Sequence, residues 1–243
     1  MKRKYAFLLS LLITLLIASN IILLNSWDEK RKVFVTQVID GDTFKAGEET
    51  FRLLNINAPE LSERGYQEAK DFLSSIENKE VRIEETSTDK YGRTLVRVYT
   101  PEYLNLEIIK RGLATKFLVH ESETSKFAEA EKKAVQSGRG IWKRSSKFGC
   151  FETKILEKKE IVKIKSLCGK IQMQNFILAD ESRKRYKFPK IFLTEVNLHT
   201  AHGIDNETDL FWNNQGNIWN NDRDTLYLFD SEGLLAHYYS YGY

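Results

Sequence analysis

The sequence has few cysteines and little net charge, and both shortages narrow its possible functions. Only two cysteines occur among 243 residues, Cys150 and Cys168, and neither has the companion ligands that a structural zinc site requires. In an exported protein they could form one disulfide across a short loop, or they could remain two separate buried thiols. The 37 basic side chains against 34 acidic ones give a formal charge of +3, which indicates no particular partner. Any nucleic-acid site must therefore be built from local arginines and lysines.

Long apolar runs are also scarce, and the one that could span a bilayer lies at the N-terminus. Lys2, Arg3 and Lys4 precede a mostly apolar stretch from Tyr5 to Leu24, about the length that a membrane-spanning helix needs. The basic start favours placing the rest of the chain outside the cytoplasm. Residues 1–26 are therefore predicted to be a signal peptide or a membrane anchor, with a buried core helix as the alternative. We expect a protein that is secreted or anchored facing outward.

Residues 31–146 alternate between strand and helix patterns. The segments VFVTQVIDGDTFKA, FRLLNI, VRIEET and RTLVRVYT predict about five short strands, with an Asp-Gly turn in the first segment. Helical periods occur in ERGYQEAKDFLSSI, in NLEIIKRG with Asn105 as a possible N-cap, and in SKFAEAEKKAVQSGRG. This order predicts an α+β domain, a small five-stranded barrel with helices packed on it.

Residues 150–243 have no convincing helical pattern. Between Lys143 and Gly149 the periodicity disappears, and we expect a domain boundary there. The following segments IVKIKSL, GKIQMQNFIL, RYKFP, TLYLFD and GLLAHYYSY are short alternating or aromatic-rich runs separated by Asp, Asn and Gly. They predict a second, all-β domain with the architecture of a sandwich.

Three segments of the first domain carry side chains suited to chemistry on a phosphate. IDGDT presents Asp40 and Asp42 from a hairpin, where their oxygens could hold a hard cation such as Ca²⁺, although Asp-Gly is also a common hairpin turn. FRLLNINAPE carries Arg52 within a strand and Glu60 just after a proline. Arg52 needs an anion, either a phosphate or an aspartate of the same sheet. DKYGR adds Lys90, Tyr91 and Arg93, which alone would be only a charged turn.

Taken in order, the segments resemble the signature series of a known family. IDGDT, RLLNINAPE, DKYGRTL, NLEIIKRGLA and GIW, within residues 33–143, are similar to the staphylococcal nuclease (thermonuclease) family. The resemblance implies an OB-fold barrel and Ca²⁺-dependent cleavage of phosphodiester bonds in DNA and RNA.

The resemblance also implies roles for individual residues. Asp42 matches the principal metal carboxylate, with Asp40 as its supporting neighbour and the carbonyl of Ala58 as a backbone ligand. Arg52 and Arg93 match the two arginines that hold the phosphate, and Glu60 matches the proposed general base. The positions on the substrate side are Lys90, Tyr91 and Phe117, the last of which could stack on a base.

Asn57 departs from the family pattern, because it stands at the position of a second metal-binding carboxylate. An amide oxygen can still bind Ca²⁺, but without a negative charge, so the affinity for the metal should fall. One hypothesis is an active nuclease that requires more Ca²⁺. The alternatives are a catalytically weak module that only binds nucleic acid, and a surface protein in which the barrel is incidental.

The second domain has a resemblance of its own. NFILAD, YKFP, LFWNNQGNIWNN, DTLYLFD and EGLLAHYYSY, within residues 150–243, are similar to the lamin-tail domain. The resemblance implies an immunoglobulin-like sandwich that binds or tethers, with an unknown ligand.

Overall fold

A computed structural model describes residues 5, 8–9, 11–19 and 30–243. The predicted signal peptide or anchor, residues 1–26, falls partly outside this range, and residues 11–19 within it are helical with exposed side chains. Among the residues described, no helix is both long enough and apolar enough to cross a membrane. Export of the chain stays a prediction.

The first region contains a six-stranded sheet that curls on itself. Its strands run in the spatial order β1-β6-β7-β4-β3-β2, and a short ladder joins β5 to β8. The bounds are β1 Arg31–Phe34, β2 Gln37–Val38, β3 Thr43–Ala46, β4 Glu49–Leu53, β5 Ile56–Asn57, β6 Glu80–Thr88, β7 Thr94–Tyr99 and β8 Thr115–Lys116. Since β1 and β2 follow one another in the chain yet lie at opposite edges of the sheet, the sheet must bend until its edges meet. This is the OB-fold-like architecture that the sequence predicted.

The curled sheet has six strands where five were predicted, because the first predicted strand is divided, and the ladder of β5 with β8 adds two short strands. The N–H of Val35 donates to the carbonyl of Lys79 beside β6, at 3.0 Å, whereas the N–H of Thr36 donates to the carbonyl of Lys45 on β3, at 2.8 Å. The chain therefore changes partner between these two residues. A switch between strands so far apart in sequence leaves no trace in the local alternation of apolar and polar residues.

Three α-helices pack on this sheet. They are α1 (Tyr66–Ser74), α2 (Leu104–Lys110) and α3 (Thr124–Gln136). Ala69 and Leu73 of α1, Ile108 and Ile109 of α2 and Phe127 of α3 are fully buried against the sheet core. The apolar residues recur at helical spacing, so each helix has one face that is stabilised by burial against the barrel.

Asn105 does not cap helix α2, as the sequence had suggested. The helix begins at Leu104, with Tyr103 in the N-cap position, and Asn105 is fully buried. Its Oδ1 accepts from the N–H of Val98 at 2.9 Å, and its Nδ2 donates to the carbonyls of Leu54 and Val96 at 2.9 Å each. Buried backbone groups require hydrogen-bond partners, so Asn105 joins the helix to β7 and to the end of β4 in the middle of the sheet.

The region after residue 150 is rich in β-structure, as predicted. It contains two four-stranded sheets, ordered β16-β15-β10-β9 and β13-β12-β17-β18, and a two-stranded ladder of β11 with β14. The strands are β9 Phe151–Leu156, β10 Ile161–Ser166, β11 Ile171–Gln172, β12 Ile177–Ala179, β13 Arg185–Lys187, β14 Phe192–Leu193, β15 Glu195–His199, β16 Asp209–Phe211, β17 Asp224–Phe229 and β18 Leu235–Tyr241. Cys150 and Cys168 form a disulfide, which selects the first of the two alternatives left open by the sequence. The immunoglobulin-like arrangement and the lamin-tail identity stay predictions.

The two regions share a buried contact. An apolar cluster combines Ala134, Val135, Ile141 and Trp142 with Tyr227 and Leu235, and the rings of Trp142 and Tyr227 stack with centroids 5.3 Å apart. The C-terminal region therefore packs directly against the first region, next to the end of helix α3.

Candidate active site

Asp42 ends the hairpin between β2 and β3, and its side chain is buried. Oδ2 accepts from the N–H of Ala58 at 3.0 Å, and Oδ1 accepts from the hydroxyl of Thr43 at 2.9 Å and pairs with the guanidinium of Arg52. Burial by itself raises the pKa of Asp42, but the charge of Arg52 and these hydrogen bonds outweigh it, so the pKa lies below its ordinary value. Asp42 is thus a buried, ionised carboxylate.

Asp40 supports the turn that carries Asp42. Its Oδ1 accepts from the N–H of Asp42 at 2.9 Å, and burial, followed by the charge of Asp42, raises the pKa of Asp40. Between them, Gly41 approaches its neighbours closely, since a Cβ there would lie 2.7 Å from the Cβ atoms of Ala58 and Ala69. Only glycine allows the hairpin to lie against both the Ala58 segment and helix α1.

Arg52 connects the hairpin to strand β5. The register of β3 and β4 places Arg52 opposite Thr43, which brings the guanidinium beside Asp42. Its Nη1 pairs with Asp42, and its Nη2 donates to Oδ1 of Asn57 and, at 3.2 Å, to the carbonyl of Ile56. Of the two anions that the sequence left open for Arg52, the aspartate of the same sheet is its partner in this structure.

Arg93 approaches the same hairpin from the turn before β7. Its Nη1 donates to the hydroxyl of Thr43 at 3.4 Å, and its Nε donates to Asp89 at 2.8 Å. Burial raises the pKa of Asp89, but hydrogen bonds from the N–H groups of Arg93 and Tyr91 and from the Arg93 side chain lower it below its ordinary value. The ionised Asp89 therefore orients Arg93 toward the hairpin.

The predicted substrate residues differ in how they lie relative to these arginines. Tyr91 is 72% exposed, with Arg93 5.4 Å and Lys90 5.0 Å from its ring centroid. Tyr91 and Lys90 therefore form one exposed group with Arg93. Phe117 follows β8 and is half-buried, and its N–H donates to the carbonyl of Asn55 at 2.9 Å.

Glu60 lies on the segment that leaves β5 and precedes helix α1. Its side chain is 69% exposed, and its Oε1 lies 3.2 Å from Nη1 of Arg183. Its N–H donates to Oε2 of Glu63 at 2.9 Å. Glu60 is accessible to water, as a general base must be, and a residue of the C-terminal region contacts it.

The predicted metal ligands have the chemistry that Ca²⁺ prefers. The carboxylates of Asp40 and Asp42, the amide oxygen of Asn57 and the carbonyl of Ala58 are all hard oxygen donors. In the part of the chain that the structure describes, no three His, Cys, Asp or Glu side chains are grouped to hold an ion. The donor set therefore fits Ca²⁺ in kind but carries little negative charge.

Arginines already bind three of these oxygens. Arg52 donates to Asp42 and Asn57, and Arg183 donates to the carbonyl of Ala58. A cation at this position would have to share the oxygens with the arginines or move the guanidiniums aside.

Sequence reasoning missed Glu63, Arg183 and Arg185. Oε2 of Glu63 accepts from Arg183 at 2.6 Å, and Oε1 of Glu63 pairs with Arg185 at 2.5 Å. The two arginines lie about half the chain away from Glu63 and belong to no motif with it. The only local signal is the polar stretch DESRKR, which follows β12 and ends at the first residue of β13. This stretch also fits an ordinary surface turn.

Comparisons with known proteins identify the family of the first region. Residues 50–144 match the family model described as "Staphylococcal nuclease homologue". This range contains Arg52, Asn57, Ala58, Glu60, Lys90, Tyr91, Arg93 and Phe117.

Individual relatives match over a similar length. The chain is 33% identical over 121 residues to an "Uncharacterized endonuclease" of Haemophilus influenzae, a match that covers 47% of the chain and 67% of the relative. It is 30% identical over 124 residues to a "Micrococcal nuclease" of Shigella flexneri, covering 44% of the chain and 71% of the relative. An "Uncharacterized endonuclease" of Escherichia coli is 29% identical over 115 residues, with 44% and 74% covered.

Proposed function

Because the chain belongs to the staphylococcal nuclease family and is a nuclease, we propose that it hydrolyses phosphodiester bonds of DNA or RNA outside the cytoplasm, in a Ca²⁺-dependent reaction. The observation that carries this proposal is the convergence of two guanidiniums on one hairpin. Arg52 pairs with Asp42, and Arg93 donates to the adjacent Thr43. A phosphodiester that binds beside Asp42 and Thr43 would face both positive charges.

Arg52 and Arg93 act on the charge of the phosphate. A phosphodiester is an anion that repels hydroxide, and negative charge accumulates on its oxygens as the attacking water adds. Fixed guanidiniums stabilise that charge, and they can bind two phosphate oxygens in parallel. To bind the phosphate, Arg52 exchanges part of its contact with Asn57 for contacts with the substrate.

Glu60 acts on the water. Its exposed carboxylate removes a proton from the attacking water, whose oxygen bonds to phosphorus while the bond to the leaving nucleoside oxygen breaks. General-base assistance of this kind contributes about 10²- to 10⁴-fold to the rate.

Asp42, Asn57 and the carbonyl of Ala58 would hold Ca²⁺, with Asp40 supporting the turn that carries Asp42. When bound, the ion supplies a further positive charge against the phosphate. The outside of a cell is rich in calcium, which suits a site with few carboxylates. Lys90 and Tyr91, next to Arg93, and Phe117, at the end of β8, would contact the nucleotides of the substrate.

The remaining parts of the chain have supporting roles in this proposal. Residues 1–26 direct export, and if uncleaved they also hold the protein at the membrane. The C-terminal region is a lamin-tail-like domain of immunoglobulin-like architecture that tethers the nuclease to an unidentified ligand. Its dense β-structure and the disulfide between Cys150 and Cys168 suit an exported binding domain.

The test is cleavage of single-stranded DNA and of RNA by the full chain over a series of Ca²⁺ concentrations. Glu60→Gln should lower turnover by about 10²- to 10⁴-fold and preserve binding. Glu68→Gln, which changes an exposed glutamate on helix α1, is the matched control and should retain activity. If the parent protein binds nucleic acid but cleaves none at every Ca²⁺ concentration of the series, the proposal is contradicted.

A further inference from the structure

The turn between β12 and β13 carries an arginine in a conformation that costs energy. Arg183 has a φ of 70°, in the left-handed region that side chains with a Cβ disfavour. Asp180 holds the turn, because its Oδ1 accepts from the N–H of Lys184 at 2.6 Å and its carbonyl accepts from the N–H of Arg183 at 3.1 Å. Strained backbone that the surroundings enforce is common at functional sites, so the contacts of Arg183 are informative.

All of the contacts seen for the Arg183 guanidinium lie on the barrel, on the segment that carries Glu60. Nη1 donates to the carbonyl of Ala58 and to Oε1 of Glu60, and Nη2 donates to Oε2 of Glu63 at 2.6 Å. The side chain is 18% exposed. The C-terminal region therefore fixes the barrel segment at three points, separated by at least 120 residues of sequence from the arginine.

Glu63 transmits this contact to the proposed base. Its Oε2 accepts both from Arg183, at 2.6 Å, and from the N–H of Glu60, at 2.9 Å. The N–H of Glu63 in turn donates to the carbonyl of Glu60 at 2.7 Å. Arg185 pairs with the other oxygen of Glu63, Oε1, at 2.5 Å. Arg183 therefore holds the oxygen that receives the N–H of Glu60, and fixing that oxygen fixes the backbone of Glu60.

We propose that Arg183 is a positioning residue of the active site, by which the C-terminal region sets the place of Glu60 relative to the phosphate site. The inference rests on the proposed function, in which Glu60 is the base. Catalysis is sensitive to such placement, because a displacement of about 1 Å can cost about a hundredfold in rate. The C-terminal region is then part of the catalytic unit as well as a tether.

Two other roles for Arg183 fit the contacts less well. Arg183 competes with the proposed Ca²⁺ for the carbonyl of Ala58. A residue that blocked the site would also have to cover Glu60, but the Glu60 side chain is 69% exposed and meets Arg183 only at 3.2 Å. A residue that bound substrate would leave its donors free for a phosphate, but Nη1 already serves two acceptors of the barrel and Nη2 serves a third. The contacts that hold the segment in place are those to the half-buried Glu63, at 2.6 Å, and to the carbonyl of Ala58.

The experiment compares Arg183→Gln with Lys184→Gln in the full chain. Lys184 has the same charge on the same turn, but its Nζ donates to the carbonyl of Asn217, away from the barrel, at 2.8 Å. Arg183→Gln should lower kcat on single-stranded DNA by about 10- to 100-fold, with KM changed by less than about threefold. Lys184→Gln should change neither constant.

Amide hydrogen exchange gives a readout that does not depend on activity. Without the contacts of the Arg183 guanidinium, the N–H groups of Glu60 and Glu63 should exchange faster in Arg183→Gln. The other amides of the barrel in this variant, and all amides of Lys184→Gln, should exchange as in the parent protein. Unchanged exchange at these two amides would overturn the proposal.

The kinetic outcomes also separate the alternatives. A rise in kcat would show that Arg183 inhibits, and a raised KM with unchanged kcat would show that it binds substrate; either would overturn the positioning role. Glu63→Gln weakens the same contact by changing its acceptor. This variant tests the positioning role if Arg183→Gln does not fold. Glu63→Gln should lower kcat to a similar degree. The kcat of the double variant should be no lower than that of the less active single variant, because both changes remove the same contact.

The parallel Glu60→Gln variant keeps this proposal distinct from the proposed function. Full turnover in Glu60→Gln would remove the proposed base, whatever Arg183 does. Loss of turnover in Glu60→Gln, together with full turnover in Arg183→Gln, would remove only the positioning role.

Discussion

Lys116 and Glu131 form an ion pair in which both side chains are fully buried, with Nζ and Oε2 2.7 Å apart. Lys116 lies on β8 and Glu131 on α3, and the C-terminal region completes their hydrogen bonds. Tyr227 donates to Glu131 at 2.9 Å, and Tyr238 donates to it at 3.1 Å. The pair therefore holds strand, helix and C-terminal region together.

Removal of one charge from this pair should destabilise the whole protein. Glu131→Ala removes the acceptor of two tyrosine hydroxyls and the nearest carboxylate of the buried Lys116 ammonium, which keeps the hydroxyl of Thr225 and, at 3.6 Å, Glu181. Breaking a buried ion pair by removing one partner typically costs about 3–5 kcal/mol. Because the pair lies where the two regions meet, both regions should unfold at a lower urea concentration than in the parent protein. Tryptophan fluorescence measures this transition.

The control for this prediction lies on the same helix. Glu129 pairs with Lys133 at 2.7 Å, but both side chains are largely exposed, so Glu129→Ala should leave the unfolding midpoint unchanged. Equal losses in Glu129→Ala and Glu131→Ala would show that burial of the Lys116–Glu131 pair has no special role.

The disulfide should contribute to the stability of the C-terminal region. Cys150 and Cys168 are 18 residues apart in sequence, and closing a loop of that length stabilises a fold by about 3 kcal/mol in the chain-entropy model. The double variant Cys150→Ser with Cys168→Ser should lower the melting temperature of the full chain. Reductant should lower the melting temperature of the parent protein but not that of the double variant. An equal effect of reductant on both proteins would contradict the presence of the disulfide.

His237 should make stability depend on pH. Burial lowers the pKa of His237 to about 4, and its Nε2 lies 2.9 Å from the hydroxyl of Thr153. The folded state therefore favours the neutral ring, whereas an unfolded histidine has a pKa of about 6.5. The stability contributed by this difference is present in full above pH 6.5 and is lost as the pH falls toward 4, by at most about 3 kcal/mol.

The measurement is the free energy of unfolding between pH 7 and pH 4. His237→Gln should flatten its decline relative to the parent protein. His202, whose side chain is exposed, supplies the matched control, and His202→Gln should decline as the parent does. Parallel curves for His237→Gln and the parent would contradict the prediction.

These predictions draw on contacts of two kinds, and only one kind could be foreseen from the sequence. The strands and helices follow from patterns within short segments, since alternation and helical period report which face is buried. The grouping of Asp42, Arg52 and Arg93 was expected only from the resemblance to the nuclease family. The division of the first strand at Val35 and Thr36, by contrast, depends on two distant partners. Asn105 shows the same limit, because the preference of asparagine for helix starts is outweighed by backbone groups of the sheet that need a partner.

The link between the two regions is the clearest case of information that local patterns lack. Arg183 looks like one charged residue among several in a surface turn. Its proposed positioning role depends on its hydrogen bonds to Glu63 and to the carbonyl of Ala58. These acceptors are distant in the sequence and lie next to Arg183 only in the folded structure.

Asn57 occupies the position where the family pattern has a carboxylate, and the structure gives a reason for the amide. Asn57 is buried, its Oδ1 accepts from Arg52, and its Nδ2 donates to the carbonyl of Glu181 at 3.4 Å. A carboxylate in this place would keep the contact with Arg52 but would set an oxygen against that carbonyl. The amide thus serves the contact with the C-terminal region and brings no negative charge to the proposed Ca²⁺ site.

Asn57→Asp should therefore have two opposite effects. The added charge should lower the half-saturating Ca²⁺ concentration by about tenfold, which corresponds to about 1.4 kcal/mol. The unpaired carbonyl of Glu181 should lower stability without Ca²⁺ by about 1–3 kcal/mol. The shift of the melting temperature with Ca²⁺ measures both effects without relying on catalysis, and cleavage assays over the same series measure the first.

Asn78→Asp is the control, because it makes the same chemical change at an exposed position and should alter neither quantity. A loss of stability in Asn57→Asp without tighter Ca²⁺ binding would mean that the side chain of Asn57 serves the fold and is not a ligand of the ion. Tighter binding with unchanged stability would mean that the hydrogen bond to Glu181 contributes little, and that the amide needs another explanation. Only the combination of both effects supports a site in which metal affinity and the joining of the two regions compete for one side chain.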